Sequence, residues 1–331
     1  MDCRIHVATR KGLFTFARTD WTRWRVEQLS FLGDPVSMVL HDPRDGAIYA
    51  GLTLGHFGVK LRRTRDGGKT WVDLTPPQYP AGETISPSPM SPNAERPAAT
   101  LKEIWALEAG GADQPGLIWA GTIPGGLFRS TDHGDTWELV RGLWDRPERA
   151  QWFGGGKDEP GIHSICVDPR DSRHVTVGVS CGGAWETRDC GETWECRATG
   201  MRAEYMPPDR AFDPNIQDVH RLVQCPSQPE AMWVQHHNGV FRTTDGGLQW
   251  HEVTTCTPSN FGFAAAVHPQ RPETAWFVPA MKDERRVPVD GAVVVARTDD
   301  GGQTFTVQRD GLPQDSAFDI VYRHCLVVDE T

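Results

Sequence analysis

The sequence predicts an all-β protein, a β-propeller of six four-stranded blades, and three observations lead there. One turn motif recurs five times along the 331 residues. Each copy sits in the same order of short apolar runs, which reads as strands separated by tight turns. The composition is that of a turn-dense chain, with 34 Gly and 25 Pro but 13 Trp and 13 Phe to fill a core.

The motif appears as Thr64-Arg-Asp66-Gly-Gly68-Lys-Thr70-Trp71, Ser130-Thr-Asp132-His-Gly134-Asp-Thr136-Trp137 and Thr187-Arg-Asp189-Cys-Gly191-Glu-Thr193-Trp194. It returns as Thr243-Thr-Asp245-Gly-Gly247-Leu-Gln249-Trp250 and Thr298-Asp-Asp300-Gly-Gly302-Gln-Thr304-Phe305, and a decayed copy runs from Thr19 to Trp24. A short Asp side chain accepts backbone N–H groups of its own turn. The Gly two places on supplies a positive φ, and Thr with an aromatic opens the next strand. Before each turn comes a strand marked by Gly and apolar residues, such as Gly126-Leu127-Phe128 or Gly239-Val240-Phe241. Before that comes a run ending in Ala-Gly or its equivalent, such as Ile118-Trp119-Ala120-Gly121. First in four of the units is a run closed by Pro, such as Ile165-Cys166-Val167-Asp168-Pro169. Four strands per roughly 55 residues is the unit of a propeller blade.

These segments resemble the Asp-box, or BNR, repeat of sialidase-like propellers, and the resemblance covers nearly the whole chain. The same box occurs in sialidases, xyloglucan-cleaving glycosidases, sortilin-type receptors and photosystem II assembly factors, so it implies a fold more than an activity. It implies that Asp66, Asp132, Asp189, Asp245 and Asp300 are structural, away from the active centre. The box aromatics read as core wedges.

The blades fall at about 34–76, 100–141, 160–198, 217–255 and 260–310. The sixth is shared, with a first strand from 317–331 paired to strands within 1–30, which closes the ring. Seven blades, with a last one missing from this chain, is the alternative count.

Charge and cysteine usage exclude other classes. Lys and Arg number 34 against 44 Asp and Glu, a net charge of −10 with no basic block. That argues against a nucleic-acid partner. No apolar run nears the ~20 residues of a membrane span, and the first residues lead straight into strand-like sequence with no signal peptide. The eight Cys show no CxxC pair and read as free thiols of a reducing cytosol. A cytoplasmic chain is the expectation.

Aligning the first strands on their closing Pro places Ser37, His163, His220 and Phe263 at one level of the central channel, and matching Leu107 and Val328 to Val167 adds Glu103 and His324. His nitrogen and carboxylate oxygen are the usual ligands of zinc or non-haem iron. Glu103, His163, His220 and His324 are therefore the candidate catalytic and metal-binding residues, with Zn or Fe as the candidate cofactor. Polar lining of a wet channel is the plainer reading. The loops entering the first strands, 76–100, 143–160 and 199–217, are long and polar-aromatic, as functional loops often are. They and their neighbours supply candidate ligand-binding residues: Trp152, Lys157, Tyr205, Arg210, Asp218, His236 and Arg323. Of His236 and His237, strand alternation lets at most one face the channel. An insertion at 281–290 carries Lys282, Arg285 and Arg286, a solvated loop or an anion site.

The expected function is a pocket for a small molecule, through a metal or by His/Glu acid–base chemistry, with hydrolase or lyase activity. The alternatives are a non-catalytic scaffold for a protein partner and a glycosidase acting on a glycan. Sialidase activity itself is disfavoured, since there are only 4 Tyr and no Arg-Ile-Pro signature near the N-terminus.

Overall fold

The computed structural model describes residues 3–20, 23–85, 95–155 and 157–329. Two residues of the decayed turn, Trp21 and Thr22, therefore lie outside the described residues, as do 86–94 of the first long loop and Gly156. The chain folds into six antiparallel sheets in sequence order. Blade 2 consists of Val36–His41, Ile48–Thr53, Val59–Thr64 and Val72–Leu74. Blade 3 consists of Glu103–Ala109, Ile118–Ile123, Leu127–Ser130 and Glu138–Leu139, and blade 4 of Ile162–Val167, Val175–Val179, Gly183–Thr187 and Glu195–Cys196. Blade 5 takes Val219–Cys225, Gln228–His236, Gly239–Thr243 and His251–Val253. Blade 6 takes Gly262–His268, Arg271–Pro279, Val295–Thr298 and Thr306–Gln308. From blade 2 to blade 6 the first strands of successive blades contact one another, so these strands line the centre.

Blade 1 differs from the expectation. It has three strands, Cys3–Thr9, Gly12–Asp20 and Arg23–Ser30. The expected partner from the C-terminal residues does not form a strand among the described residues. Side-chain anchoring accounts for this. The Arg323 guanidinium sits 4.6 Å from the Trp105 ring centre and 5.5 Å from that of Phe263. His324 Nε2 bonds the His163 carbonyl at 2.7 Å. The segment is thus pinned across blades 3, 4 and 6, in the channel rather than along Cys3–Thr9.

The repeated turns are built as their chemistry requires. Asp132 Oδ1 accepts the Thr136 N–H at 2.9 Å, and Oδ2 accepts the Thr136 hydroxyl at 2.6 Å. The Ser130 hydroxyl donates to Asp132 Oδ1 at 2.8 Å and accepts the Gly134 N–H at 2.8 Å. Gly134 has φ +85°, and a Cβ there would press on Leu74 and Tyr49 of the preceding blade at 3.3–3.4 Å. That glycine is needed both for the turn and for the blade-to-blade approach.

The core is more evenly distributed than one box aromatic per blade. Trp194 and Trp250 are fully buried, but so are Trp119, Trp185 and Trp233 from second and third strands. Trp24 of the decayed copy is 40% exposed. All eight cysteines are free. No helix among the described residues is long and apolar enough to cross a membrane.

Candidate functional site

The first strands carry a regular irregularity. Register shifts leave one extra residue between Val36 and Met38, Ile104 and Ala106, Ile162 and Ser164, and Val219 and Arg221. Those extra residues are Ser37, Trp105, His163 and His220. A β-bulge re-aims the side chain it carries, and here it aims at the next blade. Ser37 Oγ reaches the Ile104 carbonyl at 3.4 Å, His163 Nε2 the Val219 carbonyl at 2.7 Å, and His220 Nδ1 the Gly262 carbonyl at 2.7 Å. The ring position is therefore first of all a latch between blades.

This changes the expected metal set. Glu103 lies two residues from the true equivalent, Trp105, because Ala106 pairs with Gly121 as Ser164 pairs with Gly178. Its carboxylate instead ion-pairs with Lys157 at 3.0 Å on the rim. Both nitrogens of His163 are engaged, Nδ1 with Ser164 Oγ at 2.9 Å and Nε2 with the Val219 carbonyl. Burial drives the pKa of His163 well below the usual histidine range, and that of His324 down to about 3. Glu103, His163, His220 and His324 do not meet as one ligand shell.

What does meet is a different trio on blade 5. Asp218 stands just before the first strand, His220 is its bulge residue, and His237 follows the second strand. The His237 N–H donates to the Asp218 carbonyl at 3.0 Å, which brings the two strand ends together. Asp218 Oδ2 lies 3.4 Å from His220 Nε2 and 3.3 Å from His237 Nδ1. The three ligand atoms lie within 4.8 Å of one another, and theirs is the sole such His/Cys/Asp/Glu group among the described residues. The other carboxylate oxygen, Oδ1, accepts the Ser180 hydroxyl and the Cys181 N–H, each at 3.2 Å. Asp218 is 3% exposed. Burial opposes its ionisation, but the two imidazoles outweigh it and hold the carboxyl well below its ordinary range. His220 is pushed down by burial. Burial also presses on His237, yet its bond to Asp218 wins and its pKa is raised.

These groups line a cavity of about 190 Å³ together with Phe153, Gly155, Tyr205, Phe263, Asp283, Arg286 and Arg323. Gly155 closes over the trio: a Cβ there would come 2.8 Å from Cys181 Sγ and 3.0 Å from Asp218 Oδ2. Tyr205 donates its hydroxyl to the Ile216 carbonyl at 2.8 Å and sets its ring edge-on to His237 at 5.1 Å. It is a wall that orients an imidazole. The Cys181 thiol is buried, and burial raises its pKa well above the usual value, so it is no nucleophile.

Of the expected ligand-binding residues, Tyr205, Asp218 and Arg323 line the cavity. Trp152 is core, packed at 5.8 Å against Trp185. Arg210 is held by Gln151 and Asp213 at 2.9 and 2.6 Å. His236 points to the opposite face, where its Nδ1 accepts the Asn238 N–H at 3.0 Å. His236 is the expected ligand-binding residue of the pair, but it is His237, just past the strand end, that lines the cavity. Asp283 and Arg286 come from the 281–290 insertion, whose role was open in the sequence.

No family model matches the chain. The xyloglucanase Xgh74A of Acetivibrio thermocellus is 25% identical over 245 residues, 65% of this chain and 25% of that protein. The chain spans no more than about a quarter of the length of the curated relatives it matches. The GH74 xyloglucanase from Xanthomonas campestris superposes with a TM-score of 0.61 at 17% identity, over 93% of this chain and 43% of that one. YCF48 from Cyanidioschyzon merolae gives 0.57 at 14%, over 94% and 83%. These likenesses show the propeller fold.

Proposed function

We propose that the chain is a small-molecule-binding propeller of the Asp-box type whose ligand is engaged at a divalent metal held by Asp218, His220 and His237, with metal-assisted hydrolase or lyase chemistry. The observation that carries this reading is the pairing of the two imidazoles. A carbonyl can only accept, so the 2.7 Å contact to Gly262 places the His220 proton on Nδ1. Burial pushes the pKa of that ring down, which favours a bare Nε2 lone pair facing a carboxylate oxygen at 3.4 Å. Two acceptors in contact inside a buried site call for a cation between them. Two ligands ~2.1 Å from a tetrahedral ion stand about 3.4 Å apart, which matches both contacts of Asp218 Oδ2. The remaining nitrogen of His237 faces Asp283 Oδ2 at 3.5 Å. A carboxylate behind a ligating histidine is the usual outer support of such a site.

A metal there would act as a Lewis acid toward a carbonyl or phosphoryl oxygen. The chain's own residues shape the rest. Gly155 closes over the site, Tyr205 packs against His237, and Asp283, on the cavity wall, can serve as a proton acceptor.

The test is metal analysis of the purified chain, followed by chelation and titration with Zn²⁺ or Co²⁺. One equivalent per chain is expected, and Asp218→Asn or His237→Ala should abolish it. Absence of stoichiometric uptake by a folded wild-type chain overturns the reading.

A glycosidase is the second reading. The similarity to a xyloglucanase favours it, as does the presence of two carboxylates, Asp218 and Asp283, in one cavity. Against it, a glycosidase acid needs a raised pKa, whereas that of Asp218 is lowered. Release of reducing sugar from xyloglucan, lost on Asp218→Asn and unaffected by chelation, would decide for it.

A further inference from the structure

The cavity contains a second cationic centre that the metal reading leaves unexplained. Arg323 is 7% exposed and lines the same cavity as the trio. Its Nε–H has no acceptor. No carboxylate of the described residues lies within ion-pair distance of it. Its neighbours are two faces of carbon: Trp105 at 4.6 Å and Phe263 at 5.5 Å from the ring centres. A guanidinium carries five N–H donors in a planar fork. Burying such a charge without a hydrogen-bonded partner is costly, and cation–π contact returns only about 1–2 kcal/mol. Burial accordingly lowers even this arginine's pKa, to about 10. A second guanidinium, Arg286, approaches the same Phe263 ring at 5.4 Å. Asp283 already partners it at 2.5 Å.

We infer that Arg323 is the receptor for an oxyanion, a carboxylate or a phosphoryl group, on the small molecule that occupies this cavity. The inference rests on the pocket proposed above and names its ligand class. Trp105 and Phe263 both pack against the guanidinium, and Arg323 lines the cavity, so its N–H donors stand where a ligand can reach them. A carboxylate or phosphate engages such a fork through two parallel N–H···O bonds. The size agrees. A cavity of about 190 Å³ equals roughly six water volumes of ~30 Å³ each. That admits a compact anionic metabolite of a few carbons.

The experiment is calorimetric titration of the full chain, metal-stripped and metal-loaded, with sodium acetate and with inorganic phosphate as separate probes. The expected result is saturable binding of one probe in both metal states, weakened at least tenfold in Arg323→Lys. Which probe saturates assigns the group as carboxylate or phosphoryl. Lysine keeps the charge and loses the fork, so folding should survive, and near-UV circular dichroism checks this. If that variant unfolds, Trp105→Phe, which loosens that packing, should weaken binding several-fold instead. The inference is overturned if neither probe binds the folded chain, or if Arg323→Lys binds both as the wild type does. Either result leaves metal uptake by Asp218, His220 and His237 standing. Conversely, Arg323-dependent binding to a chain that takes up no metal would sustain the anion site and remove the metal.

Discussion

The Nδ1–H of His220 is spent on the carbonyl of Gly262, 2.7 Å away on the next blade. One residue thus joins two duties: it ties blade 5 to blade 6 and fixes where Nε2 stands in the site. Outer hydrogen bonds that orient a ligating histidine change metal affinity by about 10–100-fold. His220→Ala removes the ligand atom itself. Metal retained after dialysis should drop from one equivalent per chain to less than a tenth, read by elemental analysis, while the circular dichroism of the blades persists.

His163 occupies the equivalent bulge without facing the trio. Its two nitrogens are satisfied by Val219 and Ser164, and its ring packs edge-on to Trp105 at 5.3 Å. His163→Ala should therefore leave the metal stoichiometry intact and weaken the fold. A cavity and an orphaned carbonyl together cost on the order of 3 kcal/mol. Chemical denaturation paired with metal analysis separates the two effects. Loss of metal from a folded His163→Ala chain would return this residue to the ligand shell.

The repeated turns make a graded comparison. In four copies a Thr hydroxyl donates to the Asp at 2.5–2.6 Å, as Thr136 does to Asp132. In the fourth turn Gln249 replaces it, and Asp245 keeps the backbone bond at 3.1 Å without the hydroxyl. Asp132→Ala should thus destabilise more than Asp245→Ala, by about 1 kcal/mol for the extra bond. Gln249→Thr should restore most of the difference. Thermal melts of the three variants are sufficient, and equal losses for Asp132→Ala and Asp245→Ala would contradict the geometry.

How far the sequence could be read follows from what each feature needs. The turn needs Asp, a hydroxyl and a positive-φ glycine at set offsets, so five copies announced the fold before any contact was known. The channel level was legible wherever a Pro closes the first strand. In blade 3 the strand ends in Leu107-Glu108-Ala109-Gly110 with no Pro, the alignment slipped by two, and Glu103 took the place of Trp105. The bulge was invisible, because it is a register between strands rather than a property of one. For that reason His163 read as a ligand when it is a latch. Asp218 and His220 stand out in the sequence and do line the cavity, but His237 stands in a pair with His236, and only the hairpin's register tells which one turns inward. Arg323 was noted by position. Its burial between Trp105 and Phe263 depends on the C-terminal segment leaving its expected strand.

A buried charge network outside the site leads to an expectation for acid stability. Glu186, 3% exposed, meets His174 Nε2, Arg188 and Arg197, each at 2.6 Å. Burial alone would raise its pKa, but the His174 and Arg197 bonds and the surrounding positive charge overcome that and bring it to about 2. A free glutamate titrates near 4.3. Its pKa is therefore depressed in the folded state, and its stabilising contribution is complete above the unfolded value. As pH falls the unfolded chain takes up the proton first, so stability is lost between about pH 4.5 and 2 and is gone below the folded pKa. The shift corresponds to on the order of 3 kcal/mol. Glu186→Gln should lower the denaturation midpoint at pH 7 and flatten the fall of stability between pH 4.5 and 2. A wild-type acid slope retained in the variant would show that other carboxylates carry it, with the Asp168–Arg170 pair at 2.9 Å the next to be replaced.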